Sequence, residues 1–402
     1  MTGAAASPEG AWRQNLAALW FAQLTAIFGF SFAFPFIPLY LRQLGVTQPG
    51  SLALWTGLAS GASGAALAVM SPIWGVLADR FGRKSMLLRA MIGASISLGL
   101  MGFARGPVDL VVLRLVQGAT SGTVAAATAL VASGTPRPRV GWALGVLSSA
   151  IAVGSALGPV TGGLAASAIG IRQVFWAGGV LLLVATVPVL LIVREVPRAA
   201  SERADESALD LLRAVPGALA AVVALTVCQA FLQASYVGFQ PLVVLRLLER
   251  LGSGTSEVTG LAFGAAGLAS ALAAVLVAGW ARRFGYRRTA MVAAVLMAGA
   301  QLSCGWGAGV ALIVAGAALA GAFYGALGPA ISTMIGLETP AQIQARIFGF
   351  SSSAMAVGFA AGPFGGGLVA ARLGSSVAIT ACAATAVTLA GLLALSVREP
   401  RR

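Results

Sequence analysis

Histidine is absent from this chain, which removes imidazole metal ligands, imidazole proton relays and most hydrolytic triads. Charge is the next scarcity: 9% of the residues are charged, against about a quarter in a soluble domain. Acid is scarcest, with 12 Asp and Glu against 26 Lys and Arg. The three cysteines, Cys228, Cys304 and Cys382, lie far apart inside apolar runs. They read as small core hydrophobes, not as a disulfide or metal set. No nucleophile–base pair is visible, which argues against an enzyme. The sequence calls for no metal and no cofactor.

Apolar residues are what the chain has in abundance. At 58% hydrophobic with mean hydropathy +0.91, it cannot close into a soluble globule. Runs of about 20 or more apolar residues recur, the length that crosses about 30 Å of hydrocarbon. Breaks at charge and Gly/Pro clusters predict twelve spans, at 16–41, 52–77, 85–104, 108–132, 141–167, 171–193, 215–245, 257–280, 289–308, 309–335, 343–371 and 374–397. The expected class is an all-α integral membrane protein. Its first run, Leu16–Leu41, is too long for the core of a signal peptide and is expected to be retained. A net charge of +14 invites a nucleic-acid reading, but the basic residues form no face or arm. They fall in the breaks, nineteen on the side of the N-terminus and six on the other, which excludes a nucleic-acid partner and places both termini in the cytoplasm. One long polar stretch, Arg194–Arg213, reads as a linker between an N-terminal bundle, 1–193, and a C-terminal one, 214–402.

The two halves repeat each other. Gly57, Gly61 and Gly64 recur as Gly260, Gly264 and Gly267, an offset of 203. Phe36 and Pro38 recur as Phe239 and Pro241 at the same offset. Gly154, Gly158, Pro159, Gly162 and Gly163 recur as Gly358, Gly362, Pro363, Gly366 and Gly367 at 204, and Val193-Arg-Glu recurs as Val397-Arg-Glu. An ordered series of this kind is internal duplication, a known plan for transporters.

Two stretches carry the chemistry. The segment Gly75 to Lys84 sets Asp79, Arg80, Arg83 and Lys84 between two spans. Hydrocarbon solvates neither four charges nor a turn's freed backbone groups, so this hinge belongs at the membrane surface. Gly75 and Gly82 permit close packing and the turn. Asp79 is suited to face the positive N-terminus of a neighbouring helix such as the eleventh span, while Arg80, Arg83 and Lys84 can pair with it or anchor to anionic lipid. The second-half copy has Arg282 in the place of Asp79. In the fifth span, Gly145 is followed by Gly154, Gly158, Pro159, Gly162 and Gly163. Positions 154, 158 and 162 share one helix face, which alone reads as a plain packing face. Pro159 withholds a backbone donor and permits a bend.

The hinge and the glycine stretch resemble the loop two-three motif and the antiporter motif of the major facilitator superfamily, in its twelve-span drug:proton antiporter branch. The stretches Pro35–Gly45, Trp55–Gly57 and Gly141–Gly145 are similar to those of bacterial multidrug efflux proteins. The resemblance implies two pseudo-symmetric six-helix bundles and a latch at the hinge that holds an outward-open state. It also implies that the glycine faces of spans five and eight, and of two and eleven, meet across the halves as sliding surfaces.

Arg114 is the one charge well inside a span, at a cost of about 2.5–3.5 kcal/mol on insertion scales. With Leu110, Gln117 and Gly118 it resembles the family's span-four motif, which implies a proton or charge relay in which Asp109 is a candidate carboxylate. The other reading is a structural arginine satisfied by backbone carbonyls. The family plan further implies a substrate cavity between spans one, four, seven and ten. Its lining would include Gln23, Phe28 and Phe32, Gln117 and Thr120, Gln229, Gln233, Tyr236 and Gln240, and Tyr324; each reads equally well as helix packing. One departure stands out: no acidic residue falls in mid-span, where many members of this branch carry a buried carboxylate. The implied function is export of lipophilic or amphiphilic drugs by alternating access and proton antiport, by a monomer in the bacterial inner membrane. Its partners would be a small amphiphilic substrate, protons and membrane lipids. A proton-independent facilitator, a metabolite or lipid transporter, and a non-transporting receptor or assembly protein are the alternatives.

Overall fold

The computed structural model describes residues 8–195, 218–252, 254–340, 343–397 and 399, apart from the side chains of residues 8–11, Asp79 and Ala345. Twelve helices long and apolar enough to cross a membrane make up almost all of the described chain. Helix α1 runs over Pro8–Ala33 and continues through a short 3-10 turn, Phe34–Phe36, into Ile37–Gln43. Then come α2 (Pro49–Phe81), α3 (Arg83–Met101), α4 (Pro107–Thr120 and Thr123–Gly134), α5 (Val140–Ala168) and α6 (Ile171–Leu191). The second set is α7 (Ala218–Leu251), α8 (Thr255–Phe284), α9 (Tyr286–Trp306), α10 (Val310–Glu338), α11 (Gln344–Leu373) and α12 (Ser375–Ser396). Every predicted span has its helix, because run length is a signal that tertiary context cannot hide.

The same contacts are made twice. Helix α1 packs on α5 and α6, α3 on α6, and α2 on α4; in the second set α7 packs on α11 and α12, α9 on α12, and α8 on α10. The sets join along two seams, α2 against α11 and α5 against α8. The polar stretch expected to link them lies outside the described residues except for Arg194 and Glu195. Those two are tied into the first bundle: Asn15 Nδ2 donates to the Arg194 carbonyl at 2.8 Å, and the Arg194 N–H returns a bond to Asn15 Oδ1 at 2.9 Å.

Two local features differ from the expectation. Helix α2 does not end at the hinge but carries Asp79 and Arg80 in its last turn, so the turn itself is Gly82 alone, at φ +90°. Helix α4 is not continuous: it breaks at Ser121 and Gly122, the latter at φ +130°. Groups from the neighbouring helices meet the carbonyls freed there. Trp74 Nε1 donates to the Ala119 carbonyl at 2.6 Å, and Arg89 to that of Ser121 at 3.3 Å. The Arg89 guanidinium also lies over the Trp74 ring at 3.5 Å, so the break is covered by a stacked cation.

Candidate functional site

The seams between the halves are built from glycine against backbone. A methyl placed on Gly57 would come within 2.6 Å of the Pro363 carbonyl, and one on Gly61 within 2.8 Å of that of Ala360. The twin seam matches: a methyl on Gly260 would lie 2.6 Å from the Pro159 carbonyl, and one on Gly163 2.6 Å from that of Ser256. Such contacts let helix backbones approach closely without interlocking bulky side chains. The glycines at 57, 61, 64, 260, 264 and 267 therefore do face the other half, as expected.

The expectation fails for the other two stripes. Gly154, Gly158 and Gly162 face α1 of their own half, where a methyl on Gly158 would meet Ser31 Cβ at 2.7 Å and the Phe28 carbonyl at 2.9 Å. Gly358, Gly362 and Gly366 face α7 in the same way. What α5 offers α8 is the adjoining face, with Ala156, Pro159, Val160 and Gly163. A bare helix face reports a close approach but not the identity of the approaching helix. Gly145 of the same motif has nothing within 4 Å of an added methyl.

These tight contacts occupy the stretches of each seam remote from the chain termini. Toward the termini a methyl on Gly75 of α2, Gly141 or Gly145 of α5, Gly279 of α8 or Gly349 of α11 would meet nothing within 4 Å. At this end lies the hinge. The Glu195 carboxylate accepts from the backbone N–H of Arg83 at 2.6 Å and of Lys84 at 3.1 Å, capping the start of α3. Arg83 donates to the Ala129 carbonyl of α4 at 2.7 Å and Lys84 Nζ to that of Leu190 in α6 at 2.8 Å. Arg80 is exposed over the Phe81 ring. The side chain of Asp79 lies outside the described residues. Sequence reasoning did not assign Glu195, nor its twin Glu399, which caps α9 through Tyr286 and Arg287 at 2.5 and 3.1 Å. The repeated Val-Arg-Glu was the signal that could have found both.

Arg114 is 4% exposed in the middle of the first bundle. Its Nε donates to the Ala59 carbonyl at 3.0 Å, one terminal nitrogen to Ser63 Oγ at 2.7 Å and the other to Gln117 Oε1. The Phe34 ring lies 4.9 Å from the guanidinium carbon. All these partners are neutral, so the positive charge is held by dipoles and a ring face. Asp109 stands apart in the first turn of α4, where its carboxylate accepts from the backbone N–H of Arg105 at 2.9 Å.

The proposed cavity residues separate into groups. Gln23 and Gln117 are buried among helices of the first half. Phe28 and Phe32 stack at 5.6 Å, and Thr120 donates to the Val116 carbonyl in its own helix. In the second half Gln229 donates to Ser332 at 3.0 Å, the Tyr324 hydroxyl donates to Gln233 Oε1 at 3.1 Å, and the Tyr236 and Tyr324 rings stack at 4.0 Å. Gln240 is half-buried near them on α7. The structure therefore brings Gln229, Gln233, Tyr236 and Tyr324 into one polar, aromatic cluster between α7 and α10.

Known proteins share this design. The family model described as the Major Facilitator Superfamily matches residues 19–247 and again 225–402. The multidrug resistance protein MdtG of Citrobacter koseri is 34% identical over 373 residues, covering 90% of each chain. That of Klebsiella pneumoniae is 32% identical over 393 residues, 97% of this chain and 95% of the relative. Among solved structures, a bacterial homologue of the human lysosomal transporter Spinster, inward-facing and occupied, superposes with a TM-score of 0.80 at 16% identity, over 95% of this chain and 96% of that one. A D-xylose–proton symporter superposes with a TM-score of 0.78 at 16% identity, over 96% and 98%. A family model that matches nearly the whole chain and a relative 34% identical over 90% of it show the family: the chain belongs to the Major Facilitator Superfamily.

Proposed function

We propose that this protein is a secondary active transporter that exports lipophilic or amphiphilic drugs by alternating access. It would work as a monomer in the inner membrane, with both termini in the cytoplasm as the charge asymmetry of its loops directs. The observation that carries the proposal is the state of the seams. They are closed by glycine on backbone away from the termini, whereas a methyl on Gly75, Gly145 or Gly349 on the terminal side would meet nothing within 4 Å. A cleft open toward the termini is the loading state of an exporter. The relatives carrying the name multidrug resistance protein support drugs as the cargo.

The buried Arg114, held only by neutral groups, favours weakly charged or anionic amphiphiles, whose charge it would balance. The amide and tyrosine cluster between α7 and α10 suits a broad, aromatic-lined pocket. Proton exchange follows the family resemblance, with Asp79 and Asp109 as the carboxylates available to it. One observation favours a second reading, a facilitator without proton coupling: none of the 12 acidic residues lies in mid-span.

Reconstituted vesicles with an imposed pH gradient decide between them. Counter-transport of a fluorescent anionic drug that collapses when the gradient is removed supports proton exchange; transport indifferent to the gradient selects the facilitator. An anion preference unchanged in Arg114→Ala would remove the counter-ion role.

A further inference from the structure

The first half carries a groove that the transport scheme leaves unused. It lies at the terminal end of α1 and α5, encloses about 670 Å³, and is lined by Trp12, Arg13, Trp20, Arg139, Trp142 and Val146 among others. Two guanidiniums converge on one indole there: Arg13 and Arg139 each lie 5.6 Å from the centre of the Trp12 ring. No carboxylate is among the described residues that line it, so the two cations share a ring without a counter-charge among them. Trp12 itself is 5% exposed, meets Trp142 edge to face, and its Nε1 has no hydrogen-bond partner among the described residues. From Arg13 to Trp20 the lining of α1 passes from charged to apolar within two helical turns, about 10 Å.

The groove also adjoins the face of α5 that meets α8. On α5, residues 142, 146, 149, 153, 156, 160 and 163 follow one another at alternating steps of four and three, and so share a face. Ala156, Val160 and Gly163 of that face already touch α8. Trp142, on the same face toward the termini, is 64% exposed. The twin positions hold Val215, Pro216, Val223, Ile343, Arg346 and Phe350, so the second half does not repeat the feature.

We propose that this groove binds an anionic glycerophospholipid, with the phosphate between Arg13 and Arg139 and an acyl chain along Trp20 and Val146. Charge complementarity selects the headgroup. Lipid bound there occupies the gap into which α8 must move when the terminal end closes. It therefore favours the form open toward the termini.

Bromine-labelled acyl chains test this through the tryptophans of the groove. The full-length protein is reconstituted with brominated phosphatidylglycerol diluted into phosphatidylcholine, and separately with brominated phosphatidylcholine. Phosphatidylglycerol should quench tryptophan emission at far lower mole fraction. In Arg13→Gln/Arg139→Gln its apparent affinity should fall roughly thirtyfold, equivalent to about 1 kcal/mol for each of two charges. Arg13→Lys/Arg139→Lys should retain most of the preference and shows that the groove is still formed. Equal quenching by the two lipids, or a double Gln variant that keeps the preference, overturns the proposal. Displacement of the lipid signal by inorganic phosphate would assign the groove to a free anion instead, and overturns it as well.

Discussion

The two halves share one backbone plan but build their buried polar contacts from different pairs of helices. In the first, Arg114, Gln117 and Ser63 form the buried polar knot between α4 and α2. At the twin positions stand Ala317, Ala320 and Ala266, all buried and all mute. In the second half the polar knot lies between α7 and α10, with Gln229, Gln233, Tyr236 and Tyr324. Their counterparts are Ala26, Phe30, Ala33 and Ser121, which make no such cluster. What was kept in both halves is where backbones touch: Gly118 against Ser63 and Gly321 against Ala266, Glu195 on α3 and Glu399 on α9, Lys84 on Leu190 and Arg287 on Ala394. Duplication preserved the backbone contacts, and divergence went to the buried polar side chains.

The strongest way to break this comparison is through the two kinds of glycine. Gly158 lies within one bundle, against the backbone of α1, whereas Gly163 lies on the seam with α8. A leucine at 158 has no room to relax, and Gly158→Leu is expected to cost more than about 4 kcal/mol and to lower the yield of folded protein. Gly163→Leu leaves each bundle intact and should instead abolish transport in protein that still extracts and melts as a folded species. The readouts are the melting temperature in detergent and drug efflux from vesicles. If Gly158→Leu folds normally and loses only transport, the stripe at 154, 158 and 162 is a sliding surface after all.

Arg114 comes next in size. Removing it leaves Gln117, Ser63 and the Ala59 carbonyl short of a partner in a buried place, at about 1–3 kcal/mol for each stranded group, offset in part by relief of the buried charge. Arg114→Ala should lower stability by about 2–4 kcal/mol on that basis. Ala317→Ser at the twin site should be tolerated within about 1 kcal/mol, because its hydroxyl can bond back to its own helix. Equal sensitivity at the two positions would contradict the assignment of the first polar knot to one half only.

How far the sequence could be read follows the same division. Span number, duplication and the seams of α2 and α8 were legible because run length and glycine spacing are local signals. The partner of the stripe at 154, 158 and 162 was not, since a bare face does not name its neighbour. The break in α4 at Gly122 was hidden because its twin, Gly325, sits in an unbroken helix. Glutamines 23 and 117 were placed in the cavity by the family plan for spans one and four, and each read equally well as helix packing. Both are enclosed in the first bundle, where each Nε2 has no partner among the described residues. The two capping glutamates were visible as a repeat, but their role depends on where the chain ends of α6 and α12 fold back.

A smaller effect is expected from those caps, and it should be the same twice. Glu195 and Glu399 each hold two backbone N–H groups at the start of a helix, at distances that agree within about 0.1 Å. Glu195→Gln and Glu399→Gln remove the charge and keep an acceptor, so each should cost about 1 kcal/mol, read as a drop in melting temperature. A large difference between the two would show that one cap does more than start a helix. Glu195 is the candidate for that, because it neighbours the hinge that retains Asp79.

The smallest effect on stability is expected at Gly75. Its twin is Ala278, so the second half already carries a methyl at this place in its hinge. In the form described here a methyl at Gly75 touches nothing within 4 Å, and Gly75→Ala in a helix interior should change the melting temperature little, within about 0.5 kcal/mol or slightly in favour of folding. Transport is the discriminating measurement. If the terminal ends of α2 and α11 must meet backbone to backbone when the cleft closes, Gly75→Ala slows turnover while leaving stability unchanged. Ala278→Gly, loosening the other seam, then has no such effect. If Gly75→Ala turns over at the wild-type rate, the terminal end of the α2–α11 seam closes through side chains, as its twin with Ala278 must.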